Sequence, residues 1–292
     1  MKKLFFLFSA LIFPALFAFK SDKPAYIIFD KKGKEAKFKE MIKEATSSDV
    51  ILFGELHNDP VCHWLELETA KSLFENSGDK LVLAAEMFET DNQLLIDEYF
   101  SGLIRQKNFE DEAKLWDNYK TDYKPLVEFA KENKLRFVAS NVPRRYASMV
   151  NKGGFEALDK ISPEARTFLP PLPISYDPEL PGYIGMLKMM EESGQASHVS
   201  ENLPKAQALK DATMAHFIMK NFEPGRVVIH YNGSYHSENF EGIYWYIKNQ
   251  NPDIKIFTIT TVAQDTIDSL KEEYIGKADY TICVPANMTK TY

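Results

Sequence analysis

The chain has 292 residues, with 35 basic and 42 acidic side chains for a formal charge of -7, 45% hydrophobic residues and two cysteines. That composition excludes general disorder and a disulfide-stapled miniprotein, since a chain this long buries about three quarters of its unfolded surface without staples. The acidic balance speaks against a nucleic-acid binder, which presents a basic face.

Lys2 and Lys3 precede an apolar run, Leu4–Phe19, that contains Pro14 and is closed by Lys20. A spanning helix needs about 20 apolar residues. This shorter run at the N-terminus reads as a secretory signal over residues 1–20, with a retained anchor as the alternative. Cleavage after Ala18 would remove Lys2 and Lys3 and take the charge from -7 to -9. Leu16-Phe17-Ala18 fits the lead-in to a lipidation site, but Phe19 stands where the acylated cysteine belongs. The mature protein is therefore expected to be exported, periplasmic or outer-membrane associated, without a membrane span. Cys62 and Cys283 are expected as free, buried thiols.

The rest of the chain alternates. Apolar runs rich in β-branched and aromatic residues occur at Ala25–Phe29, Val50–Phe53, Leu81–Ala85, Leu135–Ala139, Val227–Tyr231, Lys255–Ile259 and Tyr280–Val284. Their near-continuous apolar character suits strands buried on both faces. Helical patterns lie between them, at Glu35–Ala45, Val61–Phe74, Asp122–Asn133, Pro204–Phe222 and Phe240–Asn249. The fold class is α/β, a largely parallel sheet flanked by helices. Residues 144–203 break the alternation with Pro170-Pro171-Leu172-Pro173, Pro178, Pro181 and the methionine-rich Ile184–Met190. They are predicted as a small helical subdomain inserted in an α/β domain of residues 21–143 and 204–292. Asp91–Tyr119 is also expected to be helical and to pack beside it.

In parallel sheets, ligands gather beyond the carboxyl ends of the strands. The chemistry-bearing residues lie there. Gly54-Glu55-Leu56-His57 follows one run, with His63 six residues on. Glu86 follows the next, Asn141-Val142-Pro143-Arg144 another, and Gly233-Ser234-Tyr235-His236 a fourth. Glycine at 54 and 233 is expected to turn the chain sharply. Imidazole and carboxylate suit a divalent transition metal, and carboxylates also serve as bases. Glu55, His57, Glu86, Arg144 and His236 are thus metal or hydrolase-like candidates. The blander alternative is an ion-pair cluster of Glu55 and Glu86 with Arg144. His230 reads as a core histidine and His216 as structural.

The pattern of Gly54-Glu55-Leu56-His57 with His63, Ala85-Glu86-Met87, Asn141-Val142-Pro143-Arg144, Gln207 with Asp211 and Met214-Ala215, and Gly233 with His236 resembles the ChaN family, close to its Campylobacter type. These are iron-regulated haem-binding proteins of bacterial haem uptake, related more distantly to Tiki/TraB and erythromycin-esterase proteins. The resemblance implies a parallel sheet with a small helical domain, and haem bound at a homodimer interface. A tyrosine would ligate the iron, while a histidine and a lysine hold propionates; an outer-membrane haem receptor is an implied partner. Tyrosine is a known haem ligand. On this resemblance, Tyr176, Tyr183 and Tyr146 are the axial candidates, and His198, Lys188 and Lys205 the propionate candidates. The same Tyr and Met residues also suit the subdomain's own core. A metal-dependent hydrolase built on the paired Gly-x-x-His motifs is the alternative function, with a divalent metal as its cofactor.

Overall fold

The computed structural model describes residues 23–192 and 200–292. The signal assigned to residues 1–20 and the candidate His198 lie outside the described residues. Eight strands form one sheet: β1 (Ile27–Asp30), β2 (Glu35–Ala36), β3 (Val50–Glu55), β4 (Leu81–Glu89), β5 (Arg136–Asn141), β6 (Val227–Gly233), β7 (Ile256–Gln264) and β8 (Tyr280–Pro285). Their order is β2-β1-β8-β7-β3-β6-β4-β5. All pairings from β8 across to β5 are parallel, and β1 runs antiparallel to both its neighbours. Each expected strand is present. The helix expected over Glu35–Ala45 starts only at Phe38, because Glu35 and Ala36 pair with Phe29 and Ile28 as a short edge hairpin.

The helices are α1 (Phe38–Ala45), α2 (Pro60–Ser77), α3 (Gln93–Phe100), α4 (Gln106–Glu112), α5 (Lys124–Glu132), α6 (Arg144–Gly153), α7 (Pro163–Arg166), α8 (Pro181–Glu192), α9 (Leu203–Asn221) and α10 (Ile243–Gln250). Asp59 starts α2 by accepting from the amides of Val61 and Cys62, with Pro60 in the first turn where a missing N–H costs nothing. A π-type turn, Tyr119–Tyr123, leads into α5 and replaces the first residues of the helix expected from Asp122. Among the described residues, no helix is long and apolar enough to cross a membrane.

Side chains alternate across the sheet, as strand geometry requires. Ile51, Phe53, Leu83, Ile229 and Ile259 face one layer, where Met41 of α1, Leu65 and Leu73 of α2 and Leu126 of α5 cover them. Val50, Leu52, Val82, Val138 and Val228 face the other, under Met214 and Ile218 of α9 and Ile243 of α10. Much of the aromatic content sits in the first layer, where Tyr99 stacks on Phe109 at 4.9 Å with Phe88, Tyr119 and Phe137 around them. α3 and α4 belong to that layer, and the chain before them touches the helical segment through Thr90, which donates to the Phe168 carbonyl, and through the Asp91–Arg145 ion pair.

α9 has two buried sides. Ala212, Met214 and Ala215 meet the sheet, while Ala206 and Leu209 join Tyr146, Val150, Leu158 and Leu169 in a smaller core under residues 144–169. Its run of alanines lets α6 and the sheet approach it closely. Among the described residues, the segment between β5 and α9 carries helices and turns but no strand. Cys62 and Cys283 are free and buried.

Candidate functional site

β3, β6 and β4 are parallel neighbours, so their carboxyl ends emerge side by side. That places Glu55, Gly233 and Glu86 on one edge. Glu86 sits where the β4–β5 register shifts, an irregularity of the kind that re-aims a strand side chain.

Glu55 is buried at the centre of the first half of the site. Its Oε1 lies 2.6 Å from His57 Nδ1 and accepts from the Tyr123 hydroxyl at 2.7 Å. Its Oε2 has no hydrogen-bond partner. Behind it, His63 Nδ1 lies 3.1 Å from Glu66 Oε2 and 3.8 Å from Glu55 Oε2. The other His63 nitrogen, Nε2, donates to the His57 carbonyl at 3.1 Å and lies 3.4 Å from Asp122 Oδ2. Asp122 accepts in turn from Asn118 and Thr291. Burial, followed by the nearby Glu66 charge, pushes the Glu55 carboxyl up to about 8. Burial also pushes Glu66 up to about 7.

Glu86 and His236 form the second half. Glu86 Oε2 accepts from the Gly233 amide at 2.8 Å, and its Oε1 lies 3.2 Å from His236 Nε2. His236 Nδ1 lies 2.5 Å from Asp211 Oδ1, and the Gln207 amide reaches the same ring nitrogen at 3.0 Å. Burial alone would lower His236, but Glu86 and Asp211 outweigh it and raise the ring to about 9. Burial alone would raise Glu86, yet His236 and His57 hold it well below the carboxylate range. At neutral pH this half is a buried imidazolium between two carboxylates.

The two halves meet at Gly233. A Cβ built there would stand 2.7 Å from His57 Nε2. A Cβ on Gly54 would stand 2.9 Å from the Ser234 Cα. Neither glycine adopts a positive φ. Gly54 lies within β3, so no turn is made there, while at Gly233 β6 gives way to a tight turn over Ser234–His236 without a positive φ; what both glycines supply is the space left by a missing side chain.

Arg144, the first residue of α6, corrects the ion-pair reading. It is exposed and forms no ion pair with Glu55 or Glu86, whose partners are imidazoles, a phenol and a backbone amide. It lines a hollow of about 410 Å³ with Trp116, Leu115, Tyr292 and the half-exposed His57. The His57 ring meets Trp116 edge-on at 5.0 Å. A second hollow of about 480 Å³ shares Leu115, Trp116 and Arg144 and adds Lys114 and Arg145. The expected metal set also divides. Glu55 with His57 and Glu86 with His236 are two pairs. Among the described residues, the group whose donor atoms lie within 4.8 Å of one another is Glu55, His63 and Glu66.

The subdomain tyrosines separate too. Tyr183 is buried and donates to Asp211 Oδ2 at 2.9 Å; burial and that carboxylate push its phenol far up. A tyrosinate at this position would face that carboxylate in an apolar setting, which makes Tyr183 the costlier of the two neighbouring tyrosines to deprotonate. Tyr146 is buried in the small core, with Arg145 stacked 4.6 Å over its ring. Tyr176 is half-buried, stacks on Tyr183 at 5.7 Å and meets Phe155 edge-on. Beside them α8 leaves Ile184, Met186 and Leu187 half-exposed and Met189 exposed. Lys188 is exposed and Lys205 half-buried. α8 is tied to the sheet end by Tyr235, whose hydroxyl donates to the Gly182 carbonyl, and by the Gly182 amide donating to Glu241.

Glu66, Asp122 and Tyr123 were not singled out from the sequence. The signal for Glu66 was present: it follows His63 by three residues on the face of α2 that also buries Cys62, Thr69 and Leu73. An acid on that face needs a partner. Tyr123 carried no such mark, since its partner Glu55 is far away in the chain.

Residues 41–247 match the family model described as haem-binding uptake, Tiki superfamily, ChaN. No curated protein matches the chain. Among solved structures, ChaN of Campylobacter jejuni, described by its cofacial haem binding, superposes with a TM-score of 0.65 at 18% identity, covering 89% of this chain and 97% of that one. A Bacillus cereus protein gives 0.49 at 11% identity, covering 85% and 90%. A toxin effector domain of Vibrio vulnificus gives 0.41 at 16% identity, covering 87% of this chain and 44% of its own.

Proposed function

The chain belongs to the ChaN family of haem-binding uptake proteins in the Tiki superfamily, and from that premise we propose that it is an exported haem carrier, holding haem against a tyrosine at a homodimer interface. The observation that carries the haem reading is the family match over residues 41–247. The surface around α8 supports its placement. Ile184, Met186 and Leu187 lie half-exposed on one helix next to Tyr176, and exposed apolar surface of this kind suits a flat apolar ligand or a second chain.

The donor set fits the group. Tyr176 is half-buried and no described residue accepts from its hydroxyl, unlike that of Tyr183. Its phenol is raised by burial and by Asp177, so it holds its proton until a stronger Lewis acid displaces it. Haem would supply ferric iron, for which an oxygen anion is a suitable ligand. Lys188 and Lys205 carry no ion pair among the described residues and serve as propionate donors. A second protomer covers the apolar α8 face. The protein passes haem to or from an outer-membrane receptor in the periplasm or at the outer membrane. Titration of the purified protein with ferric haem, combined with sedimentation, tests this. A high-spin tyrosinate-type spectrum with conversion to a dimer is expected. A monomer without spectral change overturns the reading.

A hydrolytic second reading has one favouring observation. Glu55 fixes His57 through Nδ1, which leaves Nε2 directed towards Gly233 beside the hollow lined by Trp116 and Arg144. In that reading His57 takes a proton from the water that attacks an ester carbonyl and returns it to the departing alkoxide as the C–O bond breaks, and Arg144 stabilises the developing negative charge. Turnover of simple esters that disappears in His57→Ala supports it; absence of turnover by the wild-type chain removes it.

A further inference from the structure

We propose that Glu55, His63 and Glu66 bind one divalent first-row transition cation in the interior, behind His57. This site is distinct from the haem surface and does not rest on the haem reading.

The three residues are buried, and one donor atom from each lies within 4.8 Å of the other two. Two carboxylate oxygens in the group, Glu55 Oε2 and Glu66 Oε1, are fully buried without a hydrogen-bond partner. Leaving a buried carboxyl oxygen unpaired is costly, and a cation that binds both oxygens would remove that cost in place of a proton. The orientation of His63 says where. Its Nε2–H is taken by the His57 carbonyl at 3.1 Å, so Nδ1 is the nitrogen that faces Glu66 Oε2 at 3.1 Å and Glu55 Oε2 at 3.8 Å. Nδ1 and Glu66 Oε2 face one another at hydrogen-bonding distance; a shared proton bridges them in the metal-free chain, and a divalent cation would take its place and release that proton.

The surrounding bonds have the form seen around metal ligands. A ligating imidazole normally donates its other N–H to a carbonyl or carboxylate, as His63 does. Glu55 is held through Oε1 alone, by His57 and Tyr123, which keeps Oε2 available. Bonds of about 2.1 Å to nitrogen and oxygen set donors about 3–3.5 Å apart. The 3.1 Å separation already matches, and the 3.8 Å one needs only a small contraction. Cys62, one residue away, is occupied with Thr261 at 3.2 Å, so the donors are oxygen and nitrogen only. That set suits Mn²⁺, Fe²⁺, Co²⁺ or Zn²⁺ and not a soft ion. The ion would lock Glu55, and through it the orientation of His57.

The test uses the full chain, free of haem, stripped with chelator and dialysed. MnCl₂, CoCl₂, ZnCl₂ and, under anaerobic conditions, FeCl₂ are titrated calorimetrically, with Tm followed in parallel. At least one ion is expected to bind at one equivalent per chain and raise Tm. Glu66→Gln, which keeps the side-chain shape, should weaken binding tenfold or more, while His216→Gln should leave it unchanged. Circular dichroism of the metal-free Glu66→Gln protein checks its fold. Failure of all four ions to bind stoichiometrically overturns the proposal, as does equal binding by wild type and Glu66→Gln. Failure of the haem titration would leave it standing, since no haem is present.

Discussion

His236 Nδ1 lies 2.5 Å from Asp211 Oδ1, joining the turn after β6 to the middle of α9. On its other nitrogen the ring meets Glu86, so one imidazole holds together a strand end, a helix and a neighbouring strand. The raised ring, 6.5 to about 9, makes this a pH-dependent link. Its stabilisation is complete below pH 6.5, where both folded and unfolded rings are protonated, and is lost as pH rises through about 9. Tm should therefore fall across that window. Glu55 and Glu66, raised from 4.5 to about 8 and about 7, also cost stability as pH climbs towards those values, so the comparison is with His236→Gln, whose Tm should fall less between pH 6.5 and 9. Identical pH profiles would contradict the link.

Removing the acceptor should be severe. Asp211→Ala leaves a buried imidazolium short of one partner and removes the carboxylate that accepts from the Tyr183 hydroxyl. Breaking a buried pair in this way costs about 3–5 kcal/mol. Urea unfolding of the variant against wild type reads this directly; a change within 1 kcal/mol would mean that water replaces Asp211 at about equal free energy.

Gly233→Ala should displace His57. The added methyl would stand 2.7 Å from His57 Nε2 and 3.6 Å from Glu86 Oε2. Overpacking of this kind costs about 1–3 kcal/mol. The histidine NMR spectrum should show the His57 signals shifted while those of His216 stay in place.

For haem, Tyr176→Phe should abolish the tyrosinate-type spectrum. Tyr183→Phe should retain it and lose stability instead, by about 1–3 kcal/mol for the unpaired Asp211 oxygen. The reverse pattern would move the iron ligand to Tyr183.

Much of the sheet was legible because strands buried on both faces need apolar residues at nearly every position. Val50–Phe53 and Val227–Tyr231 advertise themselves in this way. Glu55, His57, Glu86 and His236 were legible as a group because each stands where such a run ends. Their partners were not. Glu55 looked available to Arg144, since both follow strands, yet Arg144 points to solvent and Tyr123 takes its place. Nothing near Tyr183 in the chain hints that it donates to Asp211, 28 residues on. Helix ends shifted for a similar reason: Glu35 and Ala36 have helical neighbours but are captured by β1 across a turn.

The amino-acid order by itself determined the alternation of strand and helix, the parallel sheet and the strand-end residues that carry charge. Those are local properties, written in hydrophobic period and run length. Only the tertiary structure decided that β6 lies between β3 and β4. That order places Gly233 against both His57 and Glu86, and puts His236 rather than an arginine beside Glu86. Strand order is set by how distant segments bury one another's faces, and no local pattern records which buried acid will meet which buried base.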